Sequence, residues 1–581
     1  MHVIIRRALL FGLVGGLAGT HLGLVGMVDT FQERELLDLS FVLDDAGVAL
    51  GWLLPALAIL LVGNRAAARR VTDTGAPAST GLRLAAGALT GAVAGLLLAI
   101  LALVADSGLI GSMFTNARGQ LAEILWLGLD PAIGSVMLIV VGAAIGLVGA
   151  TLVVIPPMAA RAAIFAGLVV LLVALLEPFL SAILRNIGLE FVEDLLYARG
   201  ALLLPSAVVL AAITVAATYL WRHEGPARTR VMAVTTGKRA TLVRWVLLGL
   251  AMALLLILPA IVGRRLSDVL TQVGLFVLLG LGLNIVIGFA GLLDLGYVAF
   301  YAVGAYTVGV LTSPGSPAFA PEMPFWASLP FVVILAVTIG LMIGAPVLRL
   351  RGDYLAIVTL GFGEIARILV GSAWLQPYLG GAQGITAIPP AAPFSRDPES
   401  IYYPILAFCV IAALTAVSLA NSRVGRAWNA MREDEGAAEA SGINTVRYKL
   451  LAFGIGAAFG CIAGAFFSAK IGTIFPDSFN ILISINTLAL IILGGMGNIA
   501  GVIIGALVLV GLPELLREFE AYRLLIYGAV LVAMMLLRPE GLLPSRQRQA
   551  ELHEGAEEEE GEGEDPTTPT TLRPREASIN P

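Results

Sequence analysis

"IYYPILAFCVIAALTAVSLANSRVGRAWNAMREDEGAAEASGINTVRYKLLAFGIGAAFGCIAGAFF", residues 401–467, decides the fold. Two apolar runs, near 402–420 and 448–470, flank a polar strip that holds Arg432, Glu433, Asp434, Glu435 and Glu439. Each run has about 20 residues, enough as a helix to cross roughly 30 Å of hydrocarbon while satisfying its own backbone amides. Charged side chains are costly inside a bilayer, so the strip belongs outside it. The stretch therefore reads as span, polar connector, span.

Outward from it the same apolar pattern recurs along the whole chain of 581 residues, 58% hydrophobic and 13% charged, with a mean hydropathy of +0.91. Soluble domains carry about 25% charged residues, so a soluble fold is excluded. The expected fold class is all-α: a polytopic integral membrane protein with about 16 transmembrane segments, counted as apolar runs of helical spanning length. A first block holds spans near 8–27, 46–63, 84–105, 132–155, 161–183 and 200–220. The remainder fall near 243–262, 268–289, 291–312, 328–350, 354–373, 402–420, 448–470, 480–494, 499–512 and 523–538, those at 480 and 499 short enough to be half-helices.

Loop lysines and arginines set the orientation, because positive loops stay cytoplasmic. With the N-terminus inside, the inner segments carry Arg6, Arg7, Arg65, Arg69, Arg70, Arg83, Arg161, Arg349, Arg351, Arg538, Arg546, Arg548 and the basic groups between Arg222 and Arg244 and between Arg423 and Lys449, 23 of the chain's 36 lysines and arginines. Both termini and the polar strip are then cytoplasmic. The opening "MHVIIRRALLFGLVGG" reads as a retained first helix, since no small-residue cleavage site closes it before Asp29. The net charge of −5 comes from an acidic cluster, "ELHEGAEEEEGEGEDP" at 551–566, inside an expected disordered tail over 549–581. Cys409 and Cys461 lie within apolar runs and read as core thiols, and His2, His21, His223 and His553 have no ligand spacing. Neither a metal nor a nucleic-acid partner is implied.

Read as helix, the strip puts Ala430, Asp434 and Ala437 on one side and leaves Arg432, Glu433 and Glu439 solvated, with Gly436 and Gly442 interrupting or ending short pieces. A solvated connector and a docking helix both fit that pattern. Five segments narrow the choice: "GLNIVIGFAGLLDLGYVAFYAVGAY" (282–306), "LRGDYLAIVTLGFGEIARIL" (350–369), "VGRAWNAMREDEGAAEASGIN" (424–444), "YKLLAFGIGAAFGCIAGAFF" (448–467) and "LGGMGNIAGVIIGA" (493–506). In kind and order they resemble the LivM-type permease of bacterial branched-chain amino acid ABC importers, over about half the chain.

That resemblance implies a membrane subunit working with ABC ATPase subunits, a second membrane permease subunit and a periplasmic substrate-binding protein in the bacterial inner membrane. By the same match Arg432, Glu433, Asp434, Glu435, Ala438 and Gly442 form an ATPase-coupling helix. It divides the chain into an N-terminal six-helix membrane extension over 1–240, a permease core over 241–548 with its coupling loop at 422–447, and the tail. No cofactor is bound directly; ATP is used by the partner ATPase subunits, and the chain itself has no G-x-x-x-x-G-K-[ST] phosphate loop. "GGMGNIAG" lacks a preceding strand and reads as tight helix packing.

Polar groups at membrane depth are the candidates for a translocation path. Glu364 and Arg367 are three residues apart and can neutralise each other, or Glu364 can meet a substrate amino group, with Gly361 and Gly363 breaking the helix beside it. Tyr297 and Tyr301 share a helical face with Gly304 and can form a hydroxyl-bearing wall or interfacial anchors. Asp294 fits a helix start, and Asn284 fits either interhelical contact or the path. The segment "LRNIGLEFVEDLLYARG" (184–200) reads as one amphipathic outer-surface helix. The competing function is an ion-gradient-driven transporter or channel for a small polar solute such as an amide or urea, with Glu364 as its ion site.

Overall fold

The computed structural model describes residues 2–32, 34–38, 47–68, 79–114, 116, 119–126, 128–223, 238–317, 320–347, 353–515, 528, 532 and 541–543. The acidic tail, nearly all of the segment at 523–538 and most of the basic linker between 222 and 244 lie outside the described residues. The chain divides into two units, Met1–Gly263 and Arg264–Pro581. Among the described residues eleven helices are long and apolar enough to cross a membrane, and three shorter apolar helices, Leu204–Tyr219, Val298–Thr312 and Ile499–Gly511, accompany them. The molecule is a polytopic membrane protein of the all-α class, almost entirely helical among the described residues.

In the first unit, glycine decides how the helices meet. Thr80–Asp106 presents Gly87, Gly91 and Gly95 at four-residue spacing, and Pro131–Val154 answers with Gly142 and Gly146. A Cβ on Gly91 would sit 1.9 Å from the Gly142 carbonyl oxygen, and one on Gly146 would sit 2.3 Å from that of Gly87. The backbones are in direct contact, the arrangement small residues permit where lipid supplies no hydrophobic drive between helices. His2–Val25 and Leu50–Ala67 complete the group, Gly63 meeting the Gly146 carbonyl at 2.7 Å by the same measure.

Two sequence expectations change in this unit. Residues 184–200 are not one helix: Glu177–Asn186 ends, Gly188 turns with φ of 74°, and Glu190–Leu196 runs into the strand Tyr197–Ala198. Arg185 hydrogen-bonds back to Glu193 and closes the turn. A small four-stranded sheet also forms, in the order Gly47–Ala49, Glu35–Asp38, Ala201–Leu203, Tyr197–Ala198, the inner pair parallel. Its strands are two to four residues long, below the length at which alternation is readable.

The segments expected near 243–262 and 268–289 are two helices within Lys238–Asn284, separated at Gly263, where φ is 74° and ψ is −179°. The second continues as a π-helical turn, Ile285–Phe289. In the second unit Val298–Thr312, Phe325–Val347, Asp353–Gly371 and Pro398–Ala420 follow, then the strip, the 27-residue helix Thr445–Ile471, and a hairpin of Ile481–Gly494 and Ile499–Ala506. Thr445–Ile471 is the central post: its Gly464 lies where a Cβ would be 1.9 Å from the Tyr301 carbonyl, and Gly304 makes the reciprocal approach to the Cys461 carbonyl at 1.9 Å. Phe466 and Phe453 of the post are buried against the neighbouring helices.

Candidate functional site

The polar strip folds as two short helices joined at a corner. Ser422 begins the first, Arg423–Glu433, by accepting from the amides of Val424 (3.1 Å) and Gly425 (3.4 Å). Asp434 is extended, with φ of −151° and ψ of 112°, and its carboxylate accepts from the Ala437 amide at 3.0 Å, starting the second helix, Glu435–Ala440. The corner is therefore at Asp434, and Gly436 sits inside the second helix rather than interrupting it; an aspartate that caps the next helix competes with continuing the first. Gly442, at φ of 86°, ends the strip, and Asn444 caps the post by accepting from Arg447 N at 3.0 Å.

One side of the strip is bolted to the bundle. Trp428 is fully buried and donates through Nε1 to the Tyr448 carbonyl at 2.8 Å, with Ala427, Met431 and Ala438 buried beside it. Lys449, at the foot of the post, holds Glu435 at 2.6 Å, with 6% and 27% of the two side chains exposed. Arg432 is half-buried, against the expectation of a solvated side chain: its Nη1 donates to the Gly288 carbonyl at 2.7 Å. Of the six residues assigned to the strip, Glu433 projects outward as an ionisable side chain not engaged in holding it, while Asp434 caps, Glu435 pairs, Ala438 packs and Gly442 turns. Gly436, Ala437, Glu439 and Ala440 are exposed with Glu433 and complete the outer face. The buried anchors Trp428 and Lys449 were missed from sequence; the spacing of Val424, Trp428 and Met431 is the helical signal that marks the inward face.

The expected path residues are placed apart. Asn284 is buried and its Oδ1 accepts from the Gly497 amide at 2.9 Å, in the turn of the "GGMGNIAG" hairpin, where Gly494 and Gly501 let the two helices touch. Asp294 is buried and accepts from Gly296 N at 2.9 Å within its own loop, while Thr359 Oγ1 takes the Leu295 amide at 3.0 Å. Tyr297 is buried and donates to the Gly456 carbonyl at 2.6 Å, an interhelical contact. Tyr301 is buried in a ring cluster with Phe467 and Phe479, at centroid distances of 5.2 and 5.7 Å. Glu364 and Arg367 pair at 2.5 Å on one face, and Arg367 also reaches Asp477 at 3.1 Å. Gly361 and Gly363 do not break that helix, which is continuous over Asp353–Gly371; Gly363 instead lets it approach Gly296. An apolar cavity of about 520 Å³ opens between Val298–Thr312, Phe325–Val347 and Asp353–Gly371, and none of the six path candidates lines it.

Apolar helices of spanning length packed around a post, with a structured polar strip between two of them, define a multi-pass membrane protein. Residues 265–536 match the family described as branched-chain amino acid transport system, permease component. The chain is 41% identical over 324 residues to the high-affinity branched-chain amino acid transport system permease protein LivM of Escherichia coli, covering 51% of this chain and 74% of that protein. It is 26% identical over 324 residues to a probable branched-chain amino acid transport permease protein LivM of Methanocaldococcus jannaschii, covering 48% and 93%. To the LivH permease protein of Escherichia coli it is 35% identical over 142 residues, covering 24% and 45%. No solved structure matches. The chain belongs to the branched-chain amino acid transport system permease family. These relatives are transport permeases, a non-enzymatic role, and they do not favour the ion-gradient alternative.

Proposed function

We propose that this chain is a membrane subunit of an ATP-driven importer for branched-chain or related small hydrophobic amino acids. It works beside a second permease subunit, two ATPases that bind and hydrolyse ATP, and a periplasmic substrate-binding protein, in the bacterial inner membrane with both termini cytoplasmic. Residues 241–548 act as the permease core, and 1–240 as an added membrane block. The observation that carries this reading is the strip: a two-helix corner anchored inward by Trp428, Lys449 and Arg432, with Glu433 and Glu439 on the face turned away. A rigid polar corner joined directly to the central post can enter a groove on a soluble partner and pass that partner's movement to the spans.

Specificity in this reading resides in the binding protein, so the bundle needs only a path of weak contacts. The closed Glu364–Arg367–Asp477 group supports a structural role at one end of Asp353–Gly371 over an ion site. The test is capture of the ATPase subunits by the full chain. Glu433→Lys with Glu439→Lys, both on the outer face, is expected to reduce capture about tenfold through reversed charge at a docking rim. Undiminished capture and transport in that double variant sinks the proposal.

A further inference from the structure

We infer that Arg432 is the link through which movement of the strip reaches the hairpin Ile481–Ala506, by way of the Gly288 carbonyl and Asn284. The inference rests on the coupling role proposed for the strip and concerns the route that coupling takes inside the membrane unit. It starts from how the helix ending at Phe289 stops. The last carbonyls of a helix have no partner within it and carry the negative end of its dipole. Helices closed by a left-handed glycine end in two ways: its amide turns back to the carbonyl three residues earlier or to the one four residues earlier. Gly291 is that glycine, with φ of 71°, and the carbonyl three before it is Gly288.

The helix takes the four-residue closure. The Gly291 amide goes to the Ile287 carbonyl at 3.2 Å, and those of Ala290 and Leu292 go to Ile285 at 3.2 Å and Val286 at 3.0 Å. The Gly288 carbonyl is thereby offered to the guanidinium of Arg432 at 2.7 Å, a cation at the negative end of a helix. The stem of Arg432 lies on Gly291, where an added Cβ would be 3.0 Å from its Cγ. On its other side Gly288 is pressed against the hairpin: a Cβ there would meet Asn284 Oδ1 at 2.1 Å and Gly497 N at 2.7 Å. Asn284 Oδ1 in turn accepts from Gly497 N at 2.9 Å. Strip, helix end and hairpin turn thus meet in one packed group with a hydrogen bond on each side of Gly288.

A helix end that can close in either of two registers is a two-state element, and π-turns recur where helices must change. Withdrawal of Arg432 lets the Gly291 amide return to Gly288, which moves the Cα that bears on Asn284 and the Gly497 turn. Arg432 is in this sense a positioning residue: it touches no solute and acts through the helix end.

The experiment uses the complete transporter in sealed vesicles, with its ATPase subunits and a saturating binding protein, and reads solute imported per ATP hydrolysed together with retention of the ATPase subunits. Arg432→Met and Asn284→Leu are each expected to lower import per ATP about tenfold, with the pair no worse than either alone because both cut one route. Arg432→Lys, which keeps a donor and a charge but not the planar fork, is expected to fall between. If Asn284→Leu does not assemble, the two Arg432 variants carry the comparison. Unchanged import per ATP in Arg432→Met, or losses that multiply in the double variant, overturn the link. Loss of the ATPase subunits from Arg432→Met overturns it too, since Arg432 is then part of the docking face. Undiminished capture and transport in the outer-face charge-reversal variant would remove the coupling reading itself, a separate outcome.

Discussion

At the scale of single residues, the strip shows how one charge pattern divides between holding and displaying. Glu435 and Glu433 are two positions apart, yet Glu435 closes on buried Lys449 while Glu433 is exposed. Removing one partner of a shielded pair leaves the other charge uncompensated, which costs far more than the pair contributes. Glu435→Ala is therefore expected to destabilise the detergent-solubilised chain by roughly 2–3 kcal/mol, discounted from a fully buried pair because the glutamate is partly exposed. Glu435→Leu with Lys449→Met should recover most of that loss. Equal melting temperatures for Glu435→Ala and the parent would remove the pair from the account. Sequence could name these residues as charged and outside the bilayer. It could not say which carboxylate faces Lys449, because the choice depends on the corner at Asp434.

Among elements, glycine carries the packing. Gly304 and Gly464 put the backbones of Val298–Thr312 and Thr445–Ile471 in contact, each at a position where a Cβ would lie 1.9 Å from a carbonyl oxygen. No rotamer relieves a clash with backbone, so the helices must separate. Gly464→Ala is expected to cost about 1–3 kcal/mol in thermal unfolding and to lower the yield of folded chain. Gly361→Ala is the control: nothing lies within 4 Å of its added Cβ, and in a helix interior alanine gains up to about 1 kcal/mol over glycine. Reversal of that order would show that these contacts do not limit stability. The glycines were legible as small residues suited to membrane packing, and "GGMGNIAG" was read that way. What failed was the expectation that Gly361 and Gly363 break their helix, since a lone glycine weakens a helix without ending it when the neighbours are strong formers.

For the whole molecule, the orientation that positive loops predict has a direct check. A membrane-impermeant maleimide should label Glu433→Cys in inverted vesicles and Gln383→Cys in right-side-out vesicles, in a background lacking Cys409 and Cys461; both positions are exposed. Labelling of Glu433→Cys from the outside would sink the coupling proposal together with the orientation. The sequence by itself determined that the chain is a membrane protein of the all-α class and that a polar strip separates two spans, because apolar run length and loop charge are local properties read against a bilayer of fixed thickness. It also carried the family, through motifs kept in order. Tertiary structure alone decided which strip residues hold and which display, that Tyr297 and Asn284 make interhelical contacts, and that Arg432 takes the Gly288 carbonyl. Those outcomes depend on groups up to 213 residues apart in sequence meeting in space, and no local pattern encodes that meeting.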